Sequence, residues 1–177
     1  MKKKTLALVL ALTLLVAGVV GGTLAWLTDQ TAEVKNTFTV GDINIDLTET
    51  TTDYKMVPGN TIAKDPTVTV KANSEACWLF VKVTESADLK DFITYAIAEG
   101  WTALSGVDGV YYREVPASAA DQTFSVLAGD AVAVKSDVTR TMLETAKTDA
   151  PTLTFKAYAI QKDHFATADA AWAEVSK

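Results

Sequence analysis

Val34-Lys35-Asn36-Thr37-Phe38-Thr39-Val40-Gly41-Asp42-Ile43-Asn44-Ile45-Asp46-Leu47 decides how the rest of the chain is read. Val34, Phe38 and Val40 occupy even positions, and beyond Gly41 the apolar set moves to odd ones: Ile43, Ile45 and Leu47. Period-two alternation predicts strands, and a one-residue phase change at a glycine predicts a bulge or bend between two strand segments. Working outward, Val68 and Val70 alternate with threonines, and Cys77 to Val83 is a nearly continuous apolar run with Cys77, Leu79, Val81 and Val83 on its odd face. Residues 92–97, 110–115, 123–127, 131–135 and 153–161 carry the β-branched and aromatic residues of further strands. Pro58-Gly59-Asn60 marks a turn, and Val107-Asp108-Gly109-Val110 a hairpin turn. Two helical stretches are expected, near 138–147 and near 167–175, the second with Ala168, Trp172 and Val175 on one face. Eight or nine short strands without helices between them predict an all-β antiparallel sandwich with one or two short helices.

The 177 residues suit one domain, and 49% apolar against 21% charged is an ordinary globular balance. Sixteen basic against 22 acidic residues give a net charge of −6, which offers no electrostatic support for nucleic-acid binding. One cysteine excludes an internal disulfide framework.

Ahead of the first strand, Lys2, Lys3 and Lys4 precede an apolar run from Leu6 to Val20, then Gly21-Gly22 and the small-residue triplet Thr23-Leu24-Ala25. This is the layout of a secretory signal helix, with cleavage expected between Ala25 and Trp26. Retention as a membrane anchor is the alternative, because no charge interrupts the stretch between Lys4 and Asp29. The expected organisation is a signal peptide over 1–25, an N-terminal strand or arm over 26–40, and a β-domain over 41–177. Cleavage would remove three lysines, leaving an acidic exported domain whose partners are a signal peptidase during export and other protein subunits outside the cell. It would meet a membrane only through an uncleaved signal segment.

Enzyme chemistry finds few residues to use. The chain has one histidine, His164, so a helix-borne pair of zinc-binding histidines cannot form, and no Gly-x-Ser-x-Gly elbow is present. A Cys77–His164 pair would need a thiol that the alternation places on an apolar face. Asp42, Asn44 and Asp46 have the spacing that opens a calcium loop, but Leu47 stands where that loop needs glycine. In a strand the three simply line the polar face. Among the aromatics, Trp78 and Trp172 read as core, leaving Trp101 with Tyr111 or Tyr112 as candidates for stacking on a sugar. No catalytic, cofactor or metal residue is assigned.

Gly21 to Asp29, followed by Asn36-Thr37-Phe38-Thr39-Val40-Gly41-Asp42-Ile43, resembles the N-terminus of the TasA/camelysin family, exported Gram-positive proteins with SipW-dependent signal peptides. Val57 to Ile62, Lys64 to Val70 and Ala157 to Gln161 also look like members of this group. The resemblance implies a jelly-roll sandwich and a secreted biofilm-matrix or surface protein whose N-terminal strand completes a neighbour's sheet and builds fibres. The assembly residues would be Trp26, Leu27, Val34, Phe38 and Val40. The camelysin branch is described as a metallopeptidase, but no metal or catalytic residue carries over to this chain. A surface carbohydrate- or ligand-binding module is the alternative function.

Overall fold

The computed structural model describes residues 41–177. They are mostly antiparallel β-structure: ten strands in three sheets, with three short helices. The expectations for the signal helix, for cleavage at Ala25–Trp26 and for the strand Val34 to Val40 lie outside the described residues.

The first sheet holds β1 (Ile45–Thr48), β3 (Thr67–Val70) and β8 (Gln122–Ser125), in the order β1-β3-β8. The second holds β4 (Cys77–Glu85), β6 (Thr102–Ala103), β7 (Val110–Val115) and β10 (Leu153–Gln161), in the order β10-β4-β7-β6. The third is the small sheet β2-β9-β5, of β2 (Thr61–Ala63), β9 (Ala131–Val134) and β5 (Ile93–Thr94). The helices are α1 (Leu89–Phe92), α2 (Arg140–Ala146) and α3 (Ala168–Val175).

The continuous apolar run of β4 has a direct cause, since both of its faces are covered. Cys77, Leu79, Val81 and Val83 join Val68 and Val70 of β3 in one core. Trp78 and Phe80, pointing the other way, join Ala168, Ala171 and Trp172 of α3 in another. A third core, with Leu127, Val132, Val134 and Val138, lies under α1 and α2.

Two local expectations are corrected. Residues 92–97 are not one strand: Leu89–Phe92 form a helical turn, Ile93 and Thr94 pair with β9, and Ile97 makes a separate single bridge to Leu127. Two short strands, β2 and β6, were not anticipated. The Asp108-Gly109 turn does lie in a hairpin, in the connection between the antiparallel pair β6 and β7, with Gly109 at φ +71° and its carbonyl accepting from Val83 N at 2.7 Å. Both longer helices begin on a threonine N-cap, Thr139 and Thr167, whose hydroxyls accept from Met142 N and Ala170 N at 3.3 Å each.

Candidate functional site

β10 is paired along its whole length with β4, from Leu153↔Glu85 to Gln161↔Cys77. No described strand hydrogen-bonds to its other side. The edge is nine residues long, and Lys156 is its only charge. Five of the nine residues, Ala157 to Gln161, are half-buried in succession, because alternate side chains turn to the two cores that flank the second sheet.

At the Leu153 end two cavities meet the edge. One, of about 340 Å³, lies between β1 and β10 and is lined by Leu47, Glu49, Pro66, Leu153 and Phe155 among others. The other, of about 450 Å³, shares Thr52, Leu153 and Thr154 with it and reaches Tyr54, Met56, Ile62 and Lys64.

Lys64 is the most deeply placed charge here. Its Nζ lies 2.6 Å from Glu49 Oε1, with the two side chains 8% and 16% exposed. The same Nζ sits over the rings of Tyr54, at 4.6 Å from the centroid, and Phe155, at 5.3 Å. Tyr54 donates its hydroxyl to Glu49 Oε1 at 2.7 Å and also to the Thr51 carbonyl. Burial, then the Glu49 carboxylate, push the Tyr54 hydroxyl well above the usual tyrosine range. The cluster ties the irregular segment after β1 to the root of β10, since Phe155 is a β10 residue.

The residues singled out from the sequence fall elsewhere. Cys77 is sealed in the first core, where burial pushes its thiol up to about 11. His164 is exposed in a 3₁₀ turn, Lys162–His164, so the two do not form a reactive pair. Asp42 accepts from Ile43 N at 2.8 Å and from Asn44 Nδ2 at 2.9 Å, while Asp46 pairs with Lys71 at 2.9 Å. Among the described residues no group of three or more His, Cys, Asp or Glu is placed to hold a metal.

Of the aromatics, Trp78 donates Nε1 to the Phe165 carbonyl at 3.0 Å, and Trp172 packs on Phe80 and Tyr158. Tyr112 belongs to the same core. Trp101 donates Nε1 to the Ser125 carbonyl at 2.9 Å, which anchors it against β8. Tyr111 instead lines a surface groove with Tyr95, made of two depressions of about 390 and 370 Å³ that share Glu85, Tyr95 and Tyr111. Tyr95 donates to Glu85, and burial followed by that carboxylate raises its hydroxyl beyond the ordinary tyrosine range.

Sequence reasoning passed over Lys64, Glu49 and Tyr54, and also Tyr95. A lysine between β2 and β3 reads as solvated; the one available signal was its place in the strict alternation Ile62, Lys64, Pro66, Val68.

No family model, no curated protein and no solved structure matches the chain.

Proposed function

We propose that this chain is an exported structural protein of the extracellular matrix or cell surface of a Gram-positive bacterium, with no enzymatic activity. Its signal segment is removed between Ala25 and Trp26, its β-domain is a jelly-roll sandwich, and subunits join through the arm Trp26 to Val40. The reading rests on the resemblance to the TasA/camelysin family together with one structural observation, the nine-residue edge of β10 that is left unpaired among the described residues. An edge with a single lysine and neither proline nor bulge is a template for an added strand. About fifteen extended residues reach roughly 50 Å, enough to cross to a neighbour. An exchange in which each subunit gives one arm and receives another does not close on itself, so it builds filaments.

The test compares purified chains starting at Trp26 and at Val34 by electron microscopy and sedimentation. Filaments are expected from the first only, with slowed hydrogen exchange across β10. Equal filaments from both, or monomers from both at high concentration and at acid pH, would remove the mechanism.

A second reading, a carbohydrate-binding module, is favoured by the Tyr95–Tyr111 groove, where two rings lie beside Glu85, Lys82, Lys90 and Asp108. Glycan-array binding that Tyr111→Ala abolishes would establish it.

A further inference from the structure

Lys82 on β4 and Lys156 on β10 are direct cross-strand partners. Both side chains are exposed, on the face of the second sheet that carries Phe80 and Tyr158, one step beyond the pair that Trp172 of α3 covers. Like charges placed directly opposite each other destabilise a sheet, and the chain around them is acidic. Yet the ion pairs among the described residues involve neither lysine. On the β7 side Lys82 stands opposite the buried Val110, and Lys156 lies over the ring of Tyr158, 4.8 Å from its centroid. One neighbouring position is left for a counter-charge: the place beside Lys156 on the unpaired side of β10.

Strands in a sheet lie about 4.8 Å apart, so a residue there is as close to Lys156 as Lys82 is. A carboxylate in that place offsets both ammonium groups, and a strand without one leaves the repulsion standing. A second β10 brings another lysine and no carboxylate, so edge-to-edge pairing of two copies is disfavoured. The arm Trp26 to Val40 carries two carboxylates, Asp29 and Glu33. Alternation decides between them. Phe155, Ala157 and Ala159 face the first core, so Val34 and Phe38 belong on that face, and the odd-numbered arm residues fall beside Lys156. Asp29 and Glu33 are both odd. With Asp29 beside Lys156, Phe38 lies beyond the end of β10 in either strand direction. With Glu33 there and the strands parallel, Val34 comes beside Ala157 and Phe38 beside Gln161, both on the edge. In the antiparallel sense Phe38 overshoots Leu153. The parallel register also sets Lys35 beside Tyr158, away from the two lysines, and brings Leu27 level with Ala150, where the cavity of about 450 Å³ is lined by Ala150, Pro151 and Leu153.

We propose that the Lys82–Lys156 pair selects the arm of a second copy and fixes its register, Glu33 lying beside Lys156 in a strand parallel to β10. The inference rests on the assembly reading above and adds to it a device for specificity. The lysines penalise every strand that fails to bring a carboxylate to one position, and the arm satisfies that condition in one register.

The test uses the chain starting at Trp26 and reads, by sedimentation, the concentration at which filaments form. Glu33→Lys alone and Lys156→Glu alone should each raise it about fivefold or more. Mixed one to one, the two variants should assemble again, because the arm of each now fits the edge of the other. Lys90→Glu, the same charge change on α1, should leave the concentration nearly unchanged. Direction is read from disulfides formed between copies in oxidising solution, with Cys77 sealed in its core. Thr31→Cys combined with Thr154→Cys should give a covalent ladder, and Lys35→Cys combined with Thr154→Cys should not; the reverse pattern would overturn the parallel register. Equal assembly of all the charge variants would overturn the pairing while leaving filament formation intact. Absence of filaments from the unsubstituted chain would remove the assembly reading and this inference with it. Recovery in the double variant but not in the mixture would give the edge to the chain's own arm and overturn the exchange between copies.

Discussion

Lys64 and Glu49 form a pair of unequal depth, and the inequality sets what each removal does. The lysine is the deeper partner, so Glu49→Gln leaves an ammonium in the interior facing two aromatic rings. Removing one partner of a buried pair costs about 3–5 kcal/mol, and the partial exposure of Glu49 places this case near the lower bound. Lys64→Met keeps the stem's packing and leaves a carboxylate that still accepts from Tyr54, so it should cost about 1 kcal/mol. Urea unfolding of the two variants checks the order; equal losses would mean that the pair is solvated. Cys77 supplies a second residue-scale expectation. Its thiol loses its proton near pH 9 when unfolded and near 11 when folded. Between those values the native chain binds more protons, so stability is undisturbed below pH 9 and falls as pH rises, by at most about 1.4 kcal/mol per unit. The raised hydroxyls of Tyr54 and Tyr95 extend the loss above pH 10. Thermal melts between pH 8 and 11 should show it, with a shallower fall for Cys77→Ala; parallel curves would count against the assignment.

Among the elements, the connection between β6 and β7 separates two effects that glycine usually combines. Gly106 and Gly109 both have positive φ, +73° and +71°. A Cβ at Gly106 would meet nothing within 4 Å, whereas at Gly109 it would run into the backbone carbonyl of Val83. Gly106→Ala should therefore cost only the left-handed strain, about 1 kcal/mol, and Gly109→Ala clearly more, because β4 must move. Denaturation midpoints of the two variants decide it, and equal shifts would mean that the loop yields. The same connection shows what was legible from the chain. β4 could be read because its run is apolar on both faces, and β10 because Leu153 to Gln161 is long and β-rich. β2 was hidden by its length, three residues after a Pro-Gly-Asn turn, and α1 because a single helical turn has no period to detect. Lys64 and Arg113 were illegible for a shared reason. A cation beside a strand, as Lys64 is, or within one, as Arg113 is, reads as solvent-facing, and only the tertiary structure shows Tyr54 and Phe155 gathered around the first and Trp101 and Phe124 around the second. The assembly residues Trp26, Leu27, Val34, Phe38 and Val40 were read from pattern and resemblance alone.

At the scale of the whole molecule, charge sets the tempo of the proposed assembly. Each chain carries a net −6, and the proposed loss of Lys2, Lys3 and Lys4 would make it more negative, so subunits would repel before an arm could find an edge. Raising salt from about 10 mM to about 150 mM shortens the screening length from about 30 Å to about 8 Å. Light scattering of the chain starting at Trp26 should then show a shorter lag, and acid pH should act in the same direction by protonating carboxylates. A lag that ignores salt would point to arm release, not encounter, as the slow step.

The central place of β4 has a further consequence, in time. Its neighbour β10 and the helix that covers Trp78 and Phe80 both come from the last part of the chain, Leu153 to Val175. During synthesis those two aromatic side chains appear long before the helix that covers them, with Leu104, Val110 and Tyr112 of the same core arriving in between. A nascent polypeptide that ends short of β10 lacks one whole flank of its longest strand and the roof of one core. Stable collapse therefore waits for the final stretch, and a chain drawn through a narrow channel from its N-terminus remains threadable until nearly all of it has passed.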